Sequence, residues 1–218
     1  AIGSHPNLIG LRAFFSDPND PNLFIEVTDW SEEGTLRTLL SSETPLTLER
    51  KLELAQGIAA GLKAAHDAGV VHRDVRPENM LMGGDGTPML MNFDHARMPA
   101  SAAGTVSPIQ RDPDVPRAYL APELLNPTHK ATAAADLYGL GVMLFEMLAG
   151  APLYDSPEDA LREGTSAGGP ATWGAPDVPV RLNELIRRLT KPQPQDRPQS
   201  ADEVLTELQA VRERPSGT

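Results

Sequence analysis

The stretch "HRDVRPEN", residues 72–79, is the most informative part of the sequence. A helical pattern ends just before it and an apolar, strand-like run follows at once, so that a polar loop holds Asp74 and Asn79 five residues apart. An aspartate can orient the proton of an attacking hydroxyl group, and an asparagine oxygen can reach a magnesium ion on phosphates. Residues so placed could serve phosphoryl transfer, and the alternative is a polar loop that only caps a helix.

The sequence around this loop predicts a few strands followed by a mostly helical body. Strand-like runs at 8–15 and 23–27 flank a turn rich in Asp, Asn and Pro, and Thr47 can cap the helix before the loop. "GGDG" then separates two short apolar runs, which predicts a hairpin. Four helical stretches, the first over 133–149, follow a long loop at 98–118. This order is typical of an α+β fold.

Composition and charge exclude several classes of protein. A chain of 218 residues with 40% apolar content can form one or two compact lobes. The formal charge of −11 and the lack of a basic run argue against binding nucleic acid or an anionic membrane. The absence of cysteine fits a reducing compartment. The longest apolar run is interrupted by Glu146 and is too short to span a bilayer. We expect a cytoplasmic protein whose partners include neither nucleic acid nor, for this segment, a membrane.

Several further segments resemble the protein kinase family, most closely its Ser/Thr type with bacterial-style loops. "YLAPE" looks like the Ala-Pro-Glu motif, "DLYGLGVMLFEML" like the buried central helix, and "HPNLIGL" and "EVTDWSEEGTL" like the fourth strand and the hinge. Together with "HRDVRPEN" and "DRP" at 196–198, they occur in the family's order and spacing. The resemblance implies a protein kinase-like α+β fold, with a mostly helical large C-terminal lobe and a remnant of the small β lobe.

The resemblance also implies roles for individual residues. The catalytic residues would be Asp74, Arg76 and Asn79. Nucleotide would be bound by hinge residues and by a side chain beneath the adenine: Thr28, Asp29, Ser31 and Leu81. Structural and regulatory roles would fall to His72, Arg73, Phe93, Glu123, Asp136 and Arg197. Within this last group, Arg197 is expected to form a buried ion pair with Glu123.

The stretch "MLMNFDHAR", residues 89–97, departs from the family pattern. Asn92 stands thirteen positions after Asn79, where the family places the aspartate of Asp-Phe-Gly, its main magnesium ligand. Asn79 and Asn92 are therefore the implied metal ligands, with Asp94 as a possible substitute for the missing charge. An amide brings no negative charge, so the change predicts a severe loss of turnover. Arg76 in place of the usual lysine, and Pro116 in place of the usual threonine, point the same way.

The beginning of the chain predicts a truncated small lobe. No Gly-rich phosphate loop and no lysine occur before residue 51, and the chain starts at Ala1. We expect residues 1–30 to be the lobe remnant (fourth and fifth strands and the start of the hinge), 31–213 the large lobe, and 214–218 a tail or linker. The missing lobe segment would then be a partner, and its absence would leave an apolar strand face uncovered.

By the same resemblance, Arg73 could receive a phosphorylated loop. Arg73 precedes Asp74, an arrangement that in the family lets such a loop dock on the arginine. The nearest candidate phosphosites are Thr105 and Ser107, and an unmodified Ala/Ser-rich loop is the alternative.

Three functions remain open on the sequence. The first is a Ser/Thr protein kinase homologue that transfers phosphate from ATP with Mg to protein hydroxyl groups, its activity impaired by Asn92. The second is a pseudokinase, a scaffold or weak nucleotide-binding module with a protein substrate or signalling partner. The third is a small-molecule phosphotransferase, against which the Ala-Pro-Glu motif and Arg197 argue. Binding of ATP and Mg by this chain alone is expected to be weak or absent.

Overall fold

The computed structural model describes residues 4–16, 24–97, 117–126, 129–163 and 178–213. Within these ranges the strands form two antiparallel pairs, β1 with β2 and β3 with β4. The strands are β1 (Leu11–Ser16), β2 (Phe24–Thr28), β3 (Met80–Met82) and β4 (Pro88–Leu90). The helices are α1 (Leu36–Leu40), α2 (Leu48–Asp67), α3 (Ala133–Ala149), α4 (Pro157–Glu163), α5 (Val180–Leu189) and α6 (Ala201–Glu213). The predicted α+β order is confirmed.

Helix α2 leads directly into the polar loop at 72–79. Its N-terminus is capped as predicted, because the Thr47 hydroxyl accepts a hydrogen bond from the backbone N–H of Arg50 at 3.2 Å. After the helix ends, Gly69 adopts a φ of 71°, a conformation that glycine accommodates without strain. The apolar face of α2 is buried against α3 and α6. The start of the loop is therefore fixed by a well-anchored helix end.

Helix α3 forms the centre of the core. Its residues from Ala134 to Leu144 are all buried, and the helix packs against α2 and α5. Gly139 lies so close to the polar loop that a Cβ atom there would be 2.5 Å from the Val75 carbonyl oxygen. Glycine at this position thus allows α3 to pack directly against the backbone of the polar loop.

The β1–β2 pair is joined to the helical body through a few backbone contacts. The N–H of Ile9 donates to the Leu90 carbonyl at 3.0 Å, next to a parallel bridge between Leu8 and Leu90. On the hairpin itself Phe15 lies opposite Ile25, and their side chains are 55% and 46% exposed. These two apolar side chains of the described strands are thus largely exposed, and the missing lobe segment that would cover them stays a prediction.

Some elements differ from the sequence prediction or fall outside it. Both first strands begin later than predicted, and α1 was not predicted, because a five-residue helix is too short to show a clear period. Residues 98–116, which include Thr105, Ser107 and Pro116, lie outside the described ranges. The boundaries at residues 30 and 213 stay predictions. Within the described ranges, no helix combines the length and the apolar character that a bilayer span requires.

Candidate active site

The polar loop is held in place by the first turn of α3. Asp136 is fully buried, and its Oδ2 accepts the backbone N–H of His72 at 2.8 Å while its Oδ1 accepts that of Arg73 at 2.7 Å. Arg73 adopts a φ of 70°, which is uncommon for a residue other than glycine. The two hydrogen bonds stabilise this turn and so fix the direction in which Asp74 leaves the backbone.

His66 is a contributor to this arrangement that the sequence analysis missed. It lies in the last turn of α2, and its Nε2 is 2.8 Å from Asp136 Oδ2. The same carboxylate oxygen accepts the N–H of His72, so one buried aspartate joins α2, α3 and the loop. The sequence shows a histidine in the last helical turn before the loop, but it does not indicate that Asp136, 70 positions away, is its partner.

Asp74, Asn79 and Asn92 are brought together, as the sequence predicted. Asn79 Nδ2 donates both to the backbone oxygen and to the carboxylate Oδ2 of Asp74, each at 2.7 Å. Asn92 Nδ2 in turn donates to Asn79 Oδ1 at 3.2 Å. Asp74 and Asn79 are buried, whereas Asn92 is exposed at the edge of a cleft. The three side chains form a directed chain of hydrogen bonds that ends on the Asp74 carboxylate.

The described residues at this corner do not fit the magnesium ion that the family resemblance implies. The oxygen of Asn79 that would bind the ion already accepts an N–H from Asn92. Magnesium favours carboxylate ligands, and Asn92 offers none. Among the residues that the structure describes, no group of three His, Cys, Asp or Glu side chains is placed to hold a metal ion. Asp94 lines the neighbouring cleft, two positions further along the chain.

Arg76 supplies positive charge next to Asp74. Its Nε lies 3.2 Å from Asp74 Oδ2, and its Nη1 lies 4.0 Å from Glu78 Oε2. The side chain of Arg76 is only 13% exposed, so solvent screens this charge less than that of a surface arginine. The guanidinium and the amide of Asn79 therefore both face the same carboxylate oxygen of Asp74.

His72 and Phe93, two of the residues with expected structural roles, pack edge to face. Their ring centroids are 4.8 Å apart with an interplanar angle of 73°. Burial lowers the pKa of His72, so the ring is neutral. Its Nε2 donates to the Met91 carbonyl at 3.0 Å, which leaves Nδ1 to accept the N–H of Asp74 at 3.2 Å. His72 thus links the Asp74 loop to the segment that carries Asn92.

The ion pair between Glu123 and Arg197 has the expected bidentate geometry. Arg197 Nη1 and Nη2 donate to the two carboxylate oxygens of Glu123, each at 2.8 Å. The guanidinium also donates to three backbone carbonyls and lies 4.8 Å from the centroid of the Tyr138 ring. Since Arg197 is completely buried and all these groups are paired, the cluster fixes the segment after Tyr119 onto the base of α3.

A second charged cluster, around Arg37 of α1, was missed by the sequence analysis. Arg37 donates from Nε to Glu78 at 2.8 Å and from Nη1 to Glu146 at 2.6 Å. Its Nη2 donates to the Tyr119 hydroxyl at 2.5 Å, and that hydroxyl donates to Glu146 at 2.5 Å. Burial and the hydrogen bond to Glu146 raise the pKa of Tyr119. The partners lie far apart in sequence, so no local pattern could have revealed the cluster.

A cleft of about 760 Å³ opens between the β1–β2 hairpin and residues 91–94. Of the predicted nucleotide-binding residues, Thr28 and Asp29 line it, whereas Ser31 and Leu81 do not. Leu81 is buried in β3, where its backbone pairs with Thr35. The cleft has the size of a small-molecule site.

Comparison with known proteins indicates a family for this chain. The sequence model of the family described as "Protein kinase domain" matches residues 2–208. Serine/threonine-protein kinase PknL of Mycobacterium tuberculosis is 33% identical over 200 residues, which cover 90% of this chain and 48% of that kinase. Serine/threonine-protein kinase PkaA of Streptomyces coelicolor is 34% identical over 217 residues, with 96% and 38% covered. The chain therefore spans about half, or less, of the length of these relatives.

Proposed function

Because this chain belongs to the protein kinase domain family, in its bacterial Ser/Thr branch, we propose that it is a kinase-like domain with severely impaired phosphoryl transfer. The acceptors would be hydroxyl groups of proteins, as the names of its relatives suggest. The observation that carries the proposal is the hydrogen bond from Asn92 to Asn79, at the place where a magnesium ligand would be needed.

The chain's own residues have distinct parts in the proposed chemistry. Asp74 would orient the acceptor hydroxyl and take up its proton, since its carboxylate is held by Asn79 and Arg76. Arg76 would also face the transferred phosphoryl group as a cation. Thr28 and Asp29, on the lining of the cleft, would contact the nucleotide. ATP with Mg would supply the phosphoryl group in an intact family member, but the amide corner does not match that ion.

The second candidate is a pseudokinase that binds partners without transferring phosphate. The same uncharged corner favours it, because the loss of charge stabilisation by a metal ion would raise the barrier to phosphoryl transfer by several kcal/mol. The third candidate, a small-molecule phosphotransferase, is disfavoured by the buried pair of Glu123 with Arg197, which matches the protein kinase pattern.

Single-turnover transfer of labelled phosphate by the full-length gene product tests the proposal. The acceptor would be a degenerate library of Ser/Thr peptides. Asp74→Ala is the test variant, and Gln209→Ala, at an exposed position of α6, is the control. We expect a rate far below the roughly 1–100 per second of active kinases, lowered further by Asp74→Ala and unchanged by Gln209→Ala. A rate within that range would refute the impairment, and no detectable transfer would favour the pseudokinase.

A further inference from the structure

We propose that the amide of Asn92 replaces a cation at this corner and positions the Asp74–Asn79 pair without a metal ion. The inference rests on the proposed function in one respect, that this corner is the kinase-like active site. It goes further by giving Asn92 a positive role as a positioning residue. The asparagine at position 92 thus disfavours a metal ion and also supplies the contact to Asn79 that a bound ion would otherwise make.

The direction of each hydrogen bond follows from the chemistry of the groups. A backbone carbonyl oxygen can only accept hydrogen bonds, so the Asn79 atom 2.7 Å from that of Asp74 must be the amide nitrogen, which also donates to Asp74 Oδ2. The oxygen of Asn79 then points away from Asp74, toward Asn92. Because that oxygen is an acceptor, the Asn92 atom at 3.2 Å must be the donor nitrogen. The assignment of both amides therefore follows from the Asp74 carbonyl oxygen, which Asn79 must meet with its nitrogen.

An aspartate at position 92 would reverse this situation. Its carboxylate oxygen would face the Asn79 oxygen across the same gap, and two acceptors cannot satisfy each other. A bound cation would relieve that repulsion, since both oxygens are ligands that magnesium and manganese accept. Asparagine provides an N–H instead, so the corner is satisfied without an ion.

The backbone at Asn92 agrees with this role. The residue adopts a φ of 64°, in the left-handed region where asparagine is among the best tolerated residues after glycine. This conformation accompanies a side chain that reaches Asn79, thirteen positions earlier in the chain. On the other side, the neutral ring of His72 holds Met91, the residue before Asn92, through its Nε2. The donor is thus presented by a backbone that is itself anchored.

Binding of Mn²⁺ alone, followed by NMR on the isotope-labelled chain, tests the inference without nucleotide or turnover. Paramagnetic broadening of the Asn79 side-chain amide is the readout, and Mg²⁺ is the diamagnetic competitor. We expect Asn92→Asp to show selective broadening that Mg²⁺ reverses. At the same Mn²⁺ concentration the wild type, and a matched Asn92→Leu variant that has neither donor nor charge, should show at least tenfold less.

Comparable broadening of the Asn79 amide in the wild type would overturn the inference. If that broadening then disappeared in an Asp94→Asn variant, Asp94 would be identified as the Mn²⁺ ligand. If Asn92→Asp does not fold without metal, thermal unfolding replaces NMR. A midpoint raised by Mn²⁺ only in the variant supports the inference, and an equal rise in the wild type contradicts it. Because no phosphate transfer is measured, a failure here is distinct from a failure of the proposed function.

Discussion

Arg197 shows how much one buried side chain can contribute to this fold. Its replacement by methionine would leave the Glu123 carboxylate, only 6% exposed, without a counter-charge. We expect a loss of about 3–5 kcal/mol in the free energy of unfolding, measured by urea denaturation. Arg212→Met is the matched control, since it breaks exposed ion pairs with Glu49 and Glu53 and should cost about 1 kcal/mol or less. Equal losses in the two variants would contradict this view of the cluster.

His72 should make stability depend on pH. Burial lowers its pKa in the folded chain, so as the pH falls the unfolded chain binds a proton first. This contribution vanishes above about pH 6.5 and destabilises the fold below it, by at most about 1.4 kcal/mol per pH unit, until the folded ring also protonates. His72→Gln should flatten the decline of the urea midpoint below about pH 6.5 relative to wild type. An unchanged slope would mean that this ring does not carry the effect.

At the scale of elements, α3 lies in very close contact with the polar loop at 72–79. In Gly139→Ala the new methyl group would lie 2.5 Å from the Val75 carbonyl oxygen. We expect the helix or the loop to shift, at about 1–3 kcal/mol of stability, and chemical shifts around Asp74 to change. Gly84→Ala is the control, because a Cβ there has nothing within 4 Å among the described atoms. Two equally stable variants would show that the contact yields easily.

The longer helices could be predicted from sequence because their signals are local. Thr47 precedes α2 and Ser200 precedes α6, and each accepts the N–H of the residue three positions later, where a periodic apolar pattern begins. Helix α1 has too few residues for such a pattern, and the strand bounds depended on pairing that the sequence does not display.

For the whole molecule, the candidate site divides into residues that a motif identifies and residues that only tertiary contacts identify. Spacing within "HRDVRPEN" identified Asp74 and Asn79, and the order of motifs identified Asn92. His66 and Arg37 were missed because their partners, on α3, lie 70 and 109 positions away in the chain. No sequence pattern indicates that the amide of Asn92 donates a hydrogen bond to the Asn79 side-chain oxygen. That contact depends on which atom of Asn79 faces Asp74.

The most direct test of the central claim is the single-turnover transfer rate of the full-length gene product carrying Asn92→Asp, measured with Mg²⁺ against the wild type. If the uncharged corner limits the chemistry, restoring the carboxylate should raise the rate by about 100-fold, as several kcal/mol of charge stabilisation implies. The double variant Asn92→Asp with Asp74→Ala should lose that gain. An unchanged rate in a folded Asn92→Asp protein that binds Mn²⁺ at Asn79 would contradict the claim that position 92 is the cause of the impairment.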